Sequence, residues 1–460
     1  MKTNYTLQKQ FFAIIFFFLI SNISCGQCWS KIEAGGWHTL AIKSDGTLWA
    51  WGNNEYGQVG DNTIIDKHLP IQIGTATNWS RIAAGSQNSF AIKTDGTLWG
   101  WGNNGSSQIG DGTFVNRYVP TQIGTATNWN QIVCGGIHTL ATKIDGTLWA
   151  WGYNFYGQLG DGTTTNRTTR TQIGTDNDWS KIVASFDNSI ALKTSQLLWA
   201  WGRNNYGQLG LGPVAQQNQP TQIGTAVNWS LIAAGLGYTM AIKDDLSLWG
   251  WGLNDYGQLG DGTTTNLFAR TQIGTAVNWV QITTGQAHTL AMKIDNSLWS
   301  WGRNDYGQLG IGTFIDTTVR TQVGTNNWFK VTTGNLHTVA IKSDGTLWTW
   351  GYNNHGQLGD GSVTNKNIPT PIACPPTLGT NEQFTEDTIF AIYPNPTING
   401  EFSILSKNTI QNVTAYDILG KQIDVEKNNN TYKINASNGI YTLKISDAEG
   451  NSQFKKILIK

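Results

Sequence analysis

Charge is what this 460-residue chain has least of: Asp, Glu, Lys and Arg make up 13% of it, and 30 basic residues cancel 30 acidic ones. No basic block interrupts that balance, so the electrostatic footprint of a nucleic-acid or acidic-membrane binder is missing. Long apolar runs are missing as well. The run Phe11 to Ile20 is ten residues, too short to cross a bilayer as a helix, and no later segment is a transmembrane candidate. No serine, cysteine or paired-carboxylate constellation repeats or stands out, so no catalytic residue, cofactor or metal is expected. A non-enzymatic role follows as the first expectation.

The apolar run has a different use. Lys2 and Lys9 precede it and small or polar residues follow from Ser21 to Gln27, the pattern of an export signal over residues 1–26. Cleavage is expected near Gly26 or Gln27; a lipid-attachment site at Cys25 is the alternative, poorly matched by Asn22-Ile23-Ser24.

What the chain has in abundance is tryptophan, 22 residues, and glycine, 54. They fall in a repeat. The motif Trp-x-Trp-Gly ends at Gly52, Gly102, Gly152, Gly202, Gly252, Gly302 and Gly351, a period of 50 residues and once 49. A unit of that length cannot bury its own apolar face, so the copies must stack on one another. In the second copy Trp79–Ile82, Ser89–Lys93 and Thr97–Trp101 read as strands, and Asp95-Gly96 supplies a two-residue hairpin turn. Ser195-Gln196, Asp245-Leu246 and Asp295-Asn296 have poorer turn chemistry at the same place. A longer connection carrying Gly-x-Asn-x-x-Gly-Gln leads to a fourth strand at Pro120–Ile123. Four strands in seven units describe a seven-bladed β-propeller. Because the third connection is long, a blade is expected to combine the fourth strand of one copy with the first three of the next, so that residues 369–373 complete the first blade. Within Trp49-Ala50-Trp51 the indoles share one face and the alanine takes the other, the large-against-small alternation that stacked sheets need.

The string Trp151-Gly152-Tyr153-Asn154-Phe155-Tyr156-Gly157-Gln158-Leu159-Gly160, with Gly285-Gln286-Ala287-His288-Thr289-Leu290-Ala291 as an example of the upstream half, resembles the regulator of chromosome condensation repeat family. Seven copies over residues 28–374 imply that family's propeller. The founding member's exchange activity on a nuclear GTPase does not fit an uncharged, exported chain, whereas secreted relatives, including an inhibitor of β-lactamases, use the ring as a protein-binding surface. A second resemblance covers residues 389–460. Ile392-Tyr393-Pro394-Asn395-Pro396, Val413-Thr414-Ala415-Tyr416-Asp417, Gly439-Ile440-Tyr441-Thr442-Leu443 and Lys456-Ile457-Leu458-Ile459-Lys460 look like the type A sorting domain of type nine secretion, a small β-sandwich of short alternating strands. This implies an all-β chain that contacts the secretion machinery and is released or held at the outer surface. Residues 375–388 have linker composition.

Cysteine carries one sharp expectation. Cys28 stands where later copies have Asn78 or Asn128, and Cys374 where others have Thr75 or Thr125. In an unbroken copy those positions are three apart in a tight loop, so closing the ring brings Cys28 and Cys374 into disulfide range. Cys25-Gly26-Gln27-Cys28 is a Cys-x-x-Cys motif without the βαβ unit of a redox site, and Cys134 replaces Ala34 and Ala84 as a small buried side chain. His38, His138, His288 and His337 share one repeat position, which Asn88, Asn188 and Tyr238 take elsewhere; hydrogen bonding explains that set better than metal ligation.

Function is expected where the copies disagree. The residue after the fixed glycine is Asn53, Asn103, Tyr153, Arg203, Leu253, Arg303 or Tyr352, and two residues on stand Glu55, Gly105, Phe155, Asn205, Asp255, Asp305 and Asn354. Aromatic and Arg side chains varied on a fixed scaffold make Tyr153, Phe155, Arg203, Leu253, Arg303 and Tyr352 the candidate binding residues, although neutral drift gives the same pattern. The expected partner is an extracellular protein or glycan. Inhibition of an extracellular enzyme is the alternative, with a central-channel hydrolase or nucleotide exchange behind it.

Overall fold

A computed structural model describes residues 28–375, save 215 and 326, and residues 390–459, save 394–396, 398, 407, 418–420, 429 and 430. The export signal and all but Pro375 of the linker lie outside them. The chain divides into two compact units, up to Pro371 and from Ile372 onward.

In the first unit, β1 (Trp29–Ala34), β2 (His38–Lys43), β3 (Leu48–Gly52) and β4 (Lys67–Gln72) form one antiparallel sheet in chain order. Six further sheets repeat it over residues 79–122, 129–172, 179–222, 229–277, 279–322 and 328–372, giving seven blades. The expected strand exchange between copies is therefore wrong. The fourth strand stays with the three before it, and Lys366–Ile372 completes blade 7 rather than blade 1. The reason lies in the long connection, which folds back on itself around one asparagine. The Asn54 side-chain amide donates to Asp61 Oδ1 at 3.0 Å, Thr63 O at 3.0 Å and Ile65 O at 3.1 Å, while its oxygen accepts from Val59 N at 2.9 Å. Loop length is thus taken up by local coiling and not by a crossing to the next sheet.

Closure is made by packing. β1 lies against the first two strands of blade 7, and each blade's second tryptophan donates its indole N–H to a glutamine carbonyl of the preceding blade. Trp101 reaches Gln58 O at 2.9 Å, and across the seam Trp51 reaches Gln357 O, also at 2.9 Å. Between blades 1 and 2, Leu40, Ile42, Leu48, Ala50, Val59 and Ile73 meet Trp79, Ile82, Ala91 and Trp101, aliphatic side chains on one sheet against a face with two indoles on the other. Trp29 packs at 5.9 Å on both Trp49 and Trp51, so the two indoles of β3 do share a face. Lys43 caps that stack, its ammonium 3.9 Å from the Trp49 ring, and lysines do the same in the other six blades.

The β2–β3 turn has three residues, not two. Lys43 N donates to Thr47 O and Gly46 N to Lys43 O, both at 3.0 Å, with Gly46 left-handed at φ 80°. Where the sequence offers no glycine the backbone keeps that form: Gln196, Leu246 and Asn296 have φ of 60°, 61° and 61°. These turns are strained rather than loose.

Cys28 and Cys374 are both disulfide-bonded, and Cys134 is a free thiol. The Cys28 carbonyl accepts from Ser44 N at 3.1 Å as the Asn78 carbonyl does from Thr94 N at 2.9 Å, so Cys28 holds the place of a residue that enters a blade from the preceding one.

The second unit consists of two four-stranded sheets. One holds Phe390–Tyr393, Glu401–Ser406, Thr431–Ile434 and Val425–Asn428; the other holds Gln422–Ile423, Ile410–Tyr416, Gly439–Asp447 and Ser452–Ile459. Phe402 and Ile434 from the first share a core with Leu443, Ile445 and Ile457 from the second, as in a sandwich. Among the described residues no helix is long and apolar enough to cross a membrane.

Candidate binding face and channel mouth

The face that carries the β1–β2 turns and the long β3–β4 loops is built on a glycine that nothing else can replace. Gly52 has φ 102°, its six equivalents lie between 95° and 105°, and a Cβ there would come within 2.6 Å of the Trp37 carbonyl. The next residue is then pinned by its backbone to the β1–β2 turn. Tyr153 N donates to Ile137 O at 3.0 Å, Arg203 N to Asp187 O at 2.9 Å and Leu253 N to Gly237 O at 2.8 Å. Backbone positions are fixed while side chains vary.

Those side chains form two clusters and one isolated position. Around blades 3 and 4, Tyr153 and Phe155 stack at 6.4 Å and 19°, Phe155 meets Tyr156 edge-on at 5.0 Å, and Arg203 lies 4.8 Å over Tyr156. Arg203 also pairs with Asp187 at 3.1 Å. Burial, with Tyr156 and Asp187 nearby, pushes the Tyr153 hydroxyl up, so it stays a neutral donor. Phe155 is 60% exposed. From blade 5 round to blade 1, Arg303 sits over Tyr256 at 5.2 Å, Tyr306 packs on Tyr352 at 4.9 Å, and Tyr352 on Trp37 at 5.1 Å. Arg303 makes a two-toothed pair with Asp305, at 3.0 and 2.7 Å. Leu253 joins neither cluster; it is half-buried against the core between blades 5 and 6.

Trp37, Phe186, Asp187, Tyr156 and Tyr306 also build this face and were missed by sequence reasoning. The first three lie in the β1–β2 turns, which vary between copies as much as the strand exits do and carry the same signal. Tyr156 and Tyr306 stand at a position that is tyrosine in most copies, so variation does not mark them, yet each bridges to the variable residue of the following blade.

At the centre the turns of all seven blades enclose a cavity of about 120 Å³, lined among others by Phe186, Asn335, Ser86 and Cys134. Cys134 lies at the channel mouth, partly buried against the core between blades 2 and 3. Burial and the Glu33 carboxylate hold its thiol well above the usual range. Below the turns His38 Nε2 lies 2.8 Å from Ser89 Oγ, His138 Nε2 3.0 Å from Ser189 Oγ and His337 Nε2 3.2 Å from Thr39 Oγ1, each crossing a blade boundary. Burial drives these imidazoles, and that of His288, down to about 3. No group of three or more His, Cys, Asp or Glu side chains gathers as metal ligands among the described residues.

Comparison with known proteins defines the class. Residues 19–235 match the RCC1-like domain, residues 247–292, 295–341 and 344–382 match the regulator of chromosome condensation (RCC1) repeat, and residues 391–460 match the secretion system C-terminal sorting domain. The chain belongs to the regulator of chromosome condensation repeat family, with a sorting domain that marks it for secretion or the outer surface.

Among solved structures it is similar to human WBSCR16, at 21% identity and a TM-score of 0.66 over 71% of this chain and 94% of that one. It is also similar to Prp20p of Saccharomyces cerevisiae, studied for binding Gsp1p and histones, at 19% identity and a TM-score of 0.65 over 77% and 90%. These likenesses show the fold. The ultraviolet-B receptor UVR8 of Arabidopsis thaliana is 49% identical over 41 residues, which is 9% of either chain.

Proposed function

We propose that this protein is an exported, non-enzymatic binding module whose propeller face of β1–β2 turns and β3–β4 loops takes an extracellular protein or glycan. One observation carries the reading: Tyr153, Phe155, Tyr156, Arg203 and Asp187 form a contiguous aromatic and charged cluster whose backbone is fixed by the repeat and whose side chains are not. Aromatic rings with a planar guanidinium and a carboxylate beside them are the composition that interfaces concentrate their energy in. A sorting tail delivers this surface to the outside of the cell.

The test is capture of extracellular proteins and an array of glycans on the mature protein, followed by the triple change Tyr153→Ala, Phe155→Ala and Arg203→Ala. Affinity for the captured ligand is expected to fall about a hundredfold, as for loss of two or more anchor residues. An unchanged affinity places the ligand on another face.

A further inference from the structure

The first strands of the blades carry a set of charges that the loop face does not use. At the third position of the first strand stand Lys31, Arg81, Gln131, Lys181, Leu231, Gln281 and Lys330, one per blade. Several reach across to the first strand of the next blade. The Lys31 ammonium donates to Ser80 O, Gln131 Nε2 to Ser180 O at 2.7 Å, Lys181 Nζ to Ser230 O at 2.5 Å and Gln281 Nε2 to Val331 O at 2.9 Å. Glutamine and lysine make the same bond, so tying the blades together here requires no positive charge.

Three cations are nevertheless consecutive around the ring: Lys330, Lys31 and Arg81, on blades 7, 1 and 2. Arg81 Nη2 donates to the neutral Asn130 Oδ1 at 3.2 Å. Among the described contacts a single carboxylate faces the arc, Glu33, whose Oε1 is 4.0 Å from Lys330 Nζ and whose Oε2 accepts from Thr332 Oγ1 at 3.4 Å. Burial, then the charges of Arg81 and Lys330, hold the Lys31 ammonium below the usual lysine range. Several cations elsewhere in the propeller are paired one to one with a carboxylate. Lys67 sits on Asp61 at 2.8 Å, Arg117 on Asp111 at 2.5 Å, Arg203 on Asp187 at 3.1 Å and Lys366 on Asp360 at 3.3 Å. In a chain of zero net charge, this arc gathers three cations against one carboxylate, a local excess of positive charge.

We propose that Lys330, Lys31 and Arg81 form an anion-binding arc on the channel wall, which takes a sulfate or phosphate group either free or carried on a polysaccharide. A guanidinium and two ammonium groups carried side by side on adjacent blades, with Lys31 partly desolvated, bind an oxyanion more strongly than they would in open water. The site is separate from the loop face and stands or falls independently of the ligand proposed there.

The experiment is titration calorimetry of the mature protein with inorganic phosphate, inorganic sulfate and dextran sulfate at low salt. A triple variant, Lys31→Gln, Arg81→Gln and Lys330→Gln, is compared with Lys181→Gln from the opposite side of the ring. Gln131 and Gln281 already occupy this position, so the triple variant keeps its fold, which its unchanged melting curve verifies. At least one probe is expected to bind, about tenfold or more weakly to the triple variant, within twofold of normal to Lys181→Gln, and with an affinity that falls as salt is added. Binding of the free ions identifies a small-anion site; binding of dextran sulfate alone identifies a polysaccharide-borne group. The proposal is overturned if no probe binds, or if the triple variant binds as tightly as the native protein.

Discussion

Acidification should unfold this propeller, and its four buried histidines set where. His38, His138, His288 and His337 are held neutral in the folded chain, with burial lowering each to about 3 from an unfolded value near 6.5. The folded pKa is depressed, so the unfolded chain binds more protons and stability rises with pH across the interval between the two values. The stability is complete above about pH 6.5 and is lost as pH falls toward 3. At pH 5 each imidazole costs about 2 kcal/mol, one and a half pH units below its unfolded value at about 1.36 kcal/mol per unit. Four together approach the whole stability of an ordinary domain, about 5 to 15 kcal/mol. The sum is an upper bound, because His337 lies within reach of the charges His38 and His288 would carry. Urea unfolding followed by tryptophan fluorescence between pH 7.5 and 4.5 measures the slope. Replacing His138 by Asn, the residue that blades 2 and 4 use at that position as Asn88 and Asn188, should shift the unfolding midpoint little at pH 7.5 and remove about one proton from the slope near pH 5. A slope unchanged by His138→Asn, or titration of any of these four imidazoles near 6.5 in the folded protein, refutes the reasoning.

Two further outcomes follow from the turns and the thiols. Leu246 is left-handed at φ 61° where Gly46 and Gly96 stand in other blades, so Leu246→Gly should raise stability by about 0.5 to 1 kcal/mol in chemical denaturation; a loss would mean that the side chain's packing outweighs its backbone strain. Peptide mapping without reduction should recover Cys28 joined to Cys374, while alkylation of Cys134 stays slow until the protein is unfolded; changing both Cys28 and Cys374 to Ser should cost about 5 kcal/mol.

Much of the architecture is legible in the sequence because it is written seven times. The period of Trp-x-Trp-Gly and the alternation in Trp49-Ala50-Trp51 specify strands, faces and stacking locally. The candidate residues were legible only in part. Tyr153, Phe155 and Arg203 do come together, but through Tyr156, which recurs in most copies and so carries no signal of variation, and Asp187, which lies in a turn outside the strand exits. Leu253 varies as the others do and is half-buried, since variation in sequence does not distinguish a side chain that faces solvent from one that fits its neighbour.

The sequence by itself determined the number of blades, their strands and the glycine at each strand exit, because those depend on residues close along the chain. Which fourth strand belongs to which sheet depended on how the loop around Asn54 coils, and length alone does not contain that. Likewise, Lys330, Lys31 and Arg81 are neighbours only because the first and seventh blades meet. That meeting is held by Trp51 on Gln357 and by β1 against blade 7, contacts between residues some 300 positions apart. Tertiary structure alone brings such residues together, and the charges and rings left over from closing the ring are where this protein has material for binding.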